Sequence, residues 1–124
     1  MLATIFALLL LADPSPKWHT DYNAAHAEAK ATGKPLVLFL TTQNCVWCKR
    51  MESGPLTDPV VKGHLARCVC VKLDGSHPVA KSLNVKLYPT LVMAKWDGKE
   101  FVEQARVTGC PDAQTLRAKL RDAP

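Results

Sequence analysis

Blocks of apolar and polar residues alternate along the chain with changing period. Leu36-Val37-Leu38-Phe39-Leu40 is a continuous apolar run opened by Pro35, the pattern of a central strand buried on both faces. Ahead of it, Tyr22 to Ala31 is alanine-rich with Glu28 and Lys30, a composition that favours a helix. Asp21 can cap its start and Gly33 its end. After a polar turn over Thr41 to Asn44, a helix is expected from Cys45 to Glu52, ending near Gly54-Pro55. Asp58 with Pro59 at the first position starts a second helical piece through Leu65, and the two pieces are read as one helix kinked near Pro55.

Arg67 to Leu73 reads as the next strand, closed by Asp74-Gly75, and Pro78 to Leu83 as a short helix. Thr90 to Lys95 and Phe101 to Val107 form a hairpin around Asp97-Gly98. Gly109 breaks the second strand. Asp112 caps a last helix through Arg121, with Leu116 and Leu120 on one face. The order α-β-α-β-α-β-β-α predicts an α/β sandwich, its first strands parallel and its last hairpin antiparallel.

At 124 residues and 48% hydrophobic composition, the chain is sized for one domain with its own core. Disordered and collagenous classes are excluded, and no apolar run reaches the roughly 20 residues that cross a bilayer. The net charge of +5 comes from 16 basic and 11 acidic residues. The excess is dispersed, Lys49-Arg50 being the adjacent basic pair, so the clustered stripe of a nucleic-acid binder is missing.

Leu2 to Ala12 is apolar and uncharged. As a helix it would span about 16 Å, half a bilayer core. It has the length of a signal-peptide apolar region, so residues 1–12 are expected to direct export and residues 13–17 to be a linker. The domain proper is then residues 18–124. Its setting is periplasmic or secreted, where disulfides persist, with no stable membrane insertion after removal of the signal. The other readings of this segment are an apolar strand or an incorrect start site, which would leave the protein cytoplasmic.

The chain has five cysteines: Cys45, Cys48, Cys68, Cys70 and Cys110. Cys45-Val46-Trp47-Cys48 follows a buried strand and opens a helix. A cysteine there lies among unpaired N–H groups that stabilise a thiolate, with the second thiol one turn on. An exposed thiolate above a resolving thiol suits disulfide exchange. The competing reading is half of a zinc site, completed by Cys68 and Cys70. Two such residues in one strand lie about 7 Å apart on the same face, and they read better as small core residues. None of His19, His26, His64 or His77 adjoins the CxxC. A histidine between the cysteines would favour an oxidising poise, so the sequence leans to a reductant or carrier.

With those residues in view, the chain resembles thioredoxin-fold domains over residues 18 to 122. The resemblance rests on the Leu36–Leu40 strand, the CxxC, Val71-Lys72-Leu73-Asp74, Tyr88-Pro89-Thr90, the Asp97-Gly98 hairpin and the closing helix. It is most similar to the C-terminal periplasmic thioredoxin-like domain of the thiol:disulfide interchange protein DsbD. Gly33-Lys34-Pro35, Cys45-Val46-x-Cys48-Lys49, Thr57-Asp58-Pro59 and Gln104-Ala105-Arg106-Val107-Thr108-Gly109 carry that likeness. Small secreted thioredoxin-like proteins are a related group that fits the chain length better.

The resemblance implies a thioredoxin fold, a central mixed β-sheet flanked by helices on both faces. It implies a monomeric thiol:disulfide oxidoreductase without cofactor or metal, with Cys45 as nucleophile and Cys48 as resolving thiol of a redox-active disulfide. Its partners would be disulfide-bearing client proteins and a protein thiol electron donor. Oxidase or isomerase action, and a non-catalytic binding module, are the alternatives. The family also implies a cis peptide bond before Pro89, leaving the backbone of Tyr88 free for an extended client. Trp47, Tyr88, Pro89 and Thr90 are accordingly the expected client-binding residues.

Three departures from thioredoxins stand out. Asn44 replaces a tryptophan, Val46-Trp47 replaces Gly-Pro, and Phe39 stands where a buried aspartate serves the resolving thiol. Glu52, on the helix face of both cysteines, is the expected substitute acid, with a solvated pair to Lys49 as its alternative reading. Lys72 matches a strand lysine of thioredoxins or is a surface lysine. Cys110 is expected at the corner bordering the CxxC, as a regulatory or an idle thiol.

Overall fold

The structure is a computed structural model that describes residues 14–123. The expected signal segment, residues 1–12, lies outside the described residues. In chain order the elements are β1 (Trp18–His19), α1 (Tyr22–Thr32), β2 (Leu36–Thr41), α2 (Val46–Ser53), a 3-10 turn (Pro55–Thr57), α3 (Pro59–Leu65), β3 (Val69–Asp74), α4 (Pro78–Ser82), β4 (Thr90–Trp96), β5 (Phe101–Thr108) and α5 (Ala113–Asp122).

The strands form one mixed sheet of order β1-β3-β2-β4-β5. β2 is central and buried from Leu36 to Leu40. It runs parallel to β3, from Leu36 opposite Val69 to Thr41 opposite Asp74. It runs antiparallel to β4, from Leu36 opposite Ala94 to Leu40 opposite Thr90. β5 closes an antiparallel hairpin with β4, with an irregularity between Met93 and Ala94.

Strand periodicity sorts the apolar run onto two faces. Leu36, Leu38 and Leu40 pack with Ala25, Ala29 of α1 and Ala80 of α4. Val37 and Phe39 pack with Met51 of α2, Val61 and Leu65 of α3, and Leu116 and Leu120 of α5. Each fully buried Leu, Val or Phe contributes roughly 1.5–3 kcal/mol of transfer free energy, so both helical layers are held by the same central strand.

Helix ends follow the expected caps. Asp21, Asp58 and Asp112 accept hydrogen bonds from Asn23, from Val60 and Val61, and from Thr115 respectively. Gly33 closes α1 at φ 73°, a left-handed conformation that glycine adopts without steric cost.

The structure corrects the sequence reading in three places. α2 and α3 are not one kinked helix. Gly54, at φ −117° and ψ −99°, ends α2, and the 3-10 turn separates the two. β3 begins at Val69, because the Arg67 and Cys68 N–H groups are taken by His64 O (3.1 Å) and Leu65 O (3.0 Å) in the turn that ends α3. Cys68 is therefore half-buried and outside the strand. Finally, β1 was not foreseen: Trp18 and His19 pair in parallel with Cys70 and Val71.

Candidate active site

One end of the sheet gathers the chemistry. The ends of β2 and β3 meet there, Thr41 opposite Asp74, beside the start of β4. Thr108, the last residue of β5, lies opposite Thr90. The loops on this end are tied together by backbone hydrogen bonds. Gly75 N–H donates to Thr41 O (2.7 Å), and Gly109 N–H donates to Pro89 O (2.8 Å).

The CxxC sits where β2 turns into α2. Asn44 takes φ 57°, a left-handed position that asparagine tolerates better than most residues. This turn delivers Cys45 as the N-cap of α2. Its Sγ accepts from Cys48 N–H at 3.1 Å, so an open helix N–H points at the sulfur. Cys45 and Cys48 form a disulfide with Cα atoms 5.2 Å apart. Cys48 is buried, 3% exposed, and Cys45 is part-exposed. Trp47 is 55% exposed, and the Arg50 guanidinium lies 4.7 Å from its ring centroid.

Glu52 follows Cys48 by four positions on α2, which places it one turn along the same face. Its carboxylate pairs with Lys72 of β3, not with Lys49. A cavity of about 230 Å³ adjoins the pair, lined also by Trp18, Phe39 and Leu56. Phe39 lies opposite Lys72 in the strand register.

The Tyr88–Pro89 peptide bond is cis. Among the described residues, neither the N–H nor the C=O of Tyr88 has a hydrogen-bond partner. The Tyr88 hydroxyl approaches Gly75 O at 3.5 Å. Thr90 is buried, and its hydroxyl donates to Leu87 O at 2.6 Å, so that side chain shapes the loop from within. Leu87, 66% exposed, was not singled out from the sequence. The signal was an apolar residue between Lys86 and Tyr88 where a loop is expected to be polar.

Cys68 and Cys70 stand apart from this arrangement. Cys70 is fully buried, and burial pushes its thiol far up. Burial also raises the Cys68 thiol, against the opposing charges of Arg67 and Lys34. Cys110 is half-buried against the core of the α2, α3 and α5 layer, in the loop that Gly109 joins to Pro89. Among the described residues no group of three or more Cys, His, Asp or Glu could hold a metal ion.

A dithiol at a helix start, beside a loop with an unpaired backbone edge, is the arrangement of the thioredoxins. A family profile described as Thioredoxin-like matches residues 17–95, and the chain belongs to that family. Within it, the chain is 42% identical over 108 residues to the thiol:disulfide interchange protein DsbD of Escherichia coli (strain K12), covering 82% of this chain and 19% of that protein. DsbD of Shigella boydii serotype 4 (strain Sb227) is 41% identical over 103 residues, covering 78% of this chain and 18% of that one. The chain thus spans under a fifth of the length of these curated relatives. Among solved structures, a thioredoxin from Thermus thermophilus superimposes with a TM-score of 0.78 at 27% identity, over 86% of this chain and 85% of that one. The DsbH oxidoreductase gives 0.70 at 21% identity, over 90% and 89%, and so speaks for the fold alone.

Proposed function

We propose that this domain is a thiol:disulfide oxidoreductase that reduces, or relays electrons to, disulfides of exported proteins. The observation that carries the reading is Cys45 at the start of α2, bridged to buried Cys48. The names of the relatives, thiol:disulfide interchange proteins and a thioredoxin, support the same chemistry.

In the reduced protein, the Cys45 thiolate attacks one sulfur of a client disulfide. The client S–S bond breaks, one client thiolate leaves, and a mixed disulfide forms on Cys45. Cys48 then loses its proton and attacks the Cys45 sulfur, expelling the second client thiolate. Two electrons pass to the client, and the chain is left with its Cys45–Cys48 disulfide. A protein dithiol of a partner restores the reduced form by the reverse exchange. Helix N–H groups stabilise the attacking thiolate. Glu52 is the carboxylate that accepts the Cys48 proton, with Lys72 holding it in place.

The client lies as an extended segment along Tyr88, using its unpaired N–H and C=O as in strand addition. Pro89 and Thr90 hold that edge, and exposed Trp47 adds an apolar contact. The likeness to DsbD supports a periplasmic setting and protein thiol partners, with the domain acting as a monomer. Insulin reduction driven by dithiothreitol tests this reading. The wild type accelerates insulin precipitation and Cys45→Ser does not; full activity of Cys45→Ser would refute it.

A further inference from the structure

We infer that Gly75 is a positioning residue: its missing side chain admits the Tyr88 ring and thereby sets the client-binding edge relative to Cys45. This rests on the redox reading above and names a device that controls client affinity at that site.

The observation is steric. A Cβ built on Gly75 would meet Tyr88 Cζ and Oη at 2.6 Å and Cε1 at 2.9 Å. No real side chain tolerates those distances, so any larger residue must displace the ring. Gly75 has no left-handed conformation to explain its identity, unlike Gly33, Gly98 and Gly109. The space is taken by Tyr88 alone among the nearest contacts.

The contact joins both halves of the site. Gly75 N–H donates to Thr41 O at 2.7 Å, and Thr41 ends the strand that leads into Cys45. Gly75 O is approached by the Tyr88 hydroxyl at 3.5 Å. The Tyr88 ring also packs against the Leu36–Leu38–Leu40 core. One residue therefore holds the end of β2 through its N–H and the Tyr88 ring through its bare Cα. Among the described residues, the backbone N–H and C=O of Tyr88 have no hydrogen-bond partner. The atoms met are at the far end of the ring, so their displacement is expected to be carried through the Tyr88 side chain to the edge on which a client strand would pair, with Cys45 and Cys48 on α2 left in place.

The test compares wild type, Gly75→Ala, Tyr88→Leu and the double variant. Tyr88→Leu removes the ring atoms that crowd position 75. Two substrates are used: insulin, which needs the docking edge, and the small disulfide 5,5′-dithiobis(2-nitrobenzoate), which needs only the thiolate. Gly75→Ala is expected to raise KM for insulin by about tenfold, equivalent to about 1.4 kcal/mol of docking free energy. Its kcat for insulin and its rate with the small disulfide stay near wild type. Adding Tyr88→Leu to Gly75→Ala returns KM to that of Tyr88→Leu alone.

An unchanged insulin KM in Gly75→Ala overturns the inference. So does an equal fall of both substrates' rates, which marks general damage, or a double variant whose insulin KM stays well above that of Tyr88→Leu alone. A wild type inert toward both substrates overturns the redox reading on which the inference rests.

Discussion

Glu52 of α2 and Lys72 of β3 form an ion pair beside a cavity whose wall includes Phe39. Phe39 occupies the strand position where thioredoxins place a buried acid. In this chain a carboxylate stands on the helix, one turn beyond Cys48, and it pairs with the strand lysine. The pair is part-exposed, with side-chain accessibilities of 37% for Glu52 and 45% for Lys72, so its own contribution to stability is small. Its consequence is electrostatic and local.

Opposite changes are expected from the two partners. Glu52→Gln leaves an uncompensated Lys72 cation beside the helix that carries Cys45 and Cys48, and a cation on that side is expected to favour thiolate. The thiolate absorbance of the reduced variant then develops at lower pH than in wild type. Lys72→Gln leaves an uncompensated carboxylate and shifts the absorbance to higher pH. Glu52→Gln also slows resolution of the mixed disulfide in single-turnover kinetics. Identical titrations in all three proteins would make Glu52 a surface acid without a role.

Asp58 ties α3 to α5. Its carboxylate accepts from Val60 and Val61 N–H and pairs with Arg117 in a two-pronged contact. Hydrogen bonding from the Arg117 guanidinium holds its pKa down at about 2. A carboxyl with a depressed folded-state pKa stabilises the fold above its unfolded value, about 3.9. That stabilisation is lost as pH falls from about 4 through 2. Urea unfolding midpoints should therefore drop over this window in wild type. In Asp58→Asn, which keeps the cap but not the charge, the midpoint at neutral pH is lower and the acid slope is shallower. Parallel acid profiles would contradict the assignment.

Thiol accessibility should separate Cys45, Cys68 and Cys70. In the reduced native protein, iodoacetamide at neutral pH labels Cys45 first. Cys68, half-buried with its thiol raised by burial, follows slowly. Cys70, fully buried with its thiol raised further, is labelled only on denaturation. Peptide mapping by mass spectrometry reads the order, and early modification of Cys70 would show that the β3 core opens in the native state.

Phe39 serves the core in place of an acid. It is 1% exposed and packs with Met51, Leu65 and Leu116. Phe39→Ala removes its ring from a site that cannot fully collapse, at a cost of about 3–5 kcal/mol. That is a large part of the roughly 5–15 kcal/mol available to a domain of this kind. Denaturant titration should show the midpoint fall accordingly, and a loss under about 1 kcal/mol would mean that the cavity beside Phe39 relaxes freely.

Long apolar runs and caps made most of the fold legible. The run Leu36 to Leu40, opened by Pro35, has the pattern of a central strand, and Asp21, Asp58 and Asp112 each mark a helix start in the chain as in the structure. What escaped was set by partners distant in sequence. β1 is two residues long and exists because Cys70 and Val71 offer it an edge; no periodicity can show in two residues. The start of β3 depends on how α3 unwinds through Arg67 and Cys68. In the site, the CxxC and the Tyr88-Pro89 loop were readable from local motifs. The pairing of Glu52 with Lys72, and the fit of Tyr88 over Gly75, link residues that only the folded sheet brings together.

The central claim is that Cys45 makes the covalent bond to a client and Cys48 breaks it. The direct measurement is the mass and site of the adduct formed when reduced Cys48→Ala protein meets a disulfide-bonded client such as insulin. The account predicts one stable mixed disulfide, located at Cys45 and absent from the Cys45→Ser/Cys48→Ala double variant. No adduct, or an adduct mapped to Cys68 or Cys110, would contradict it.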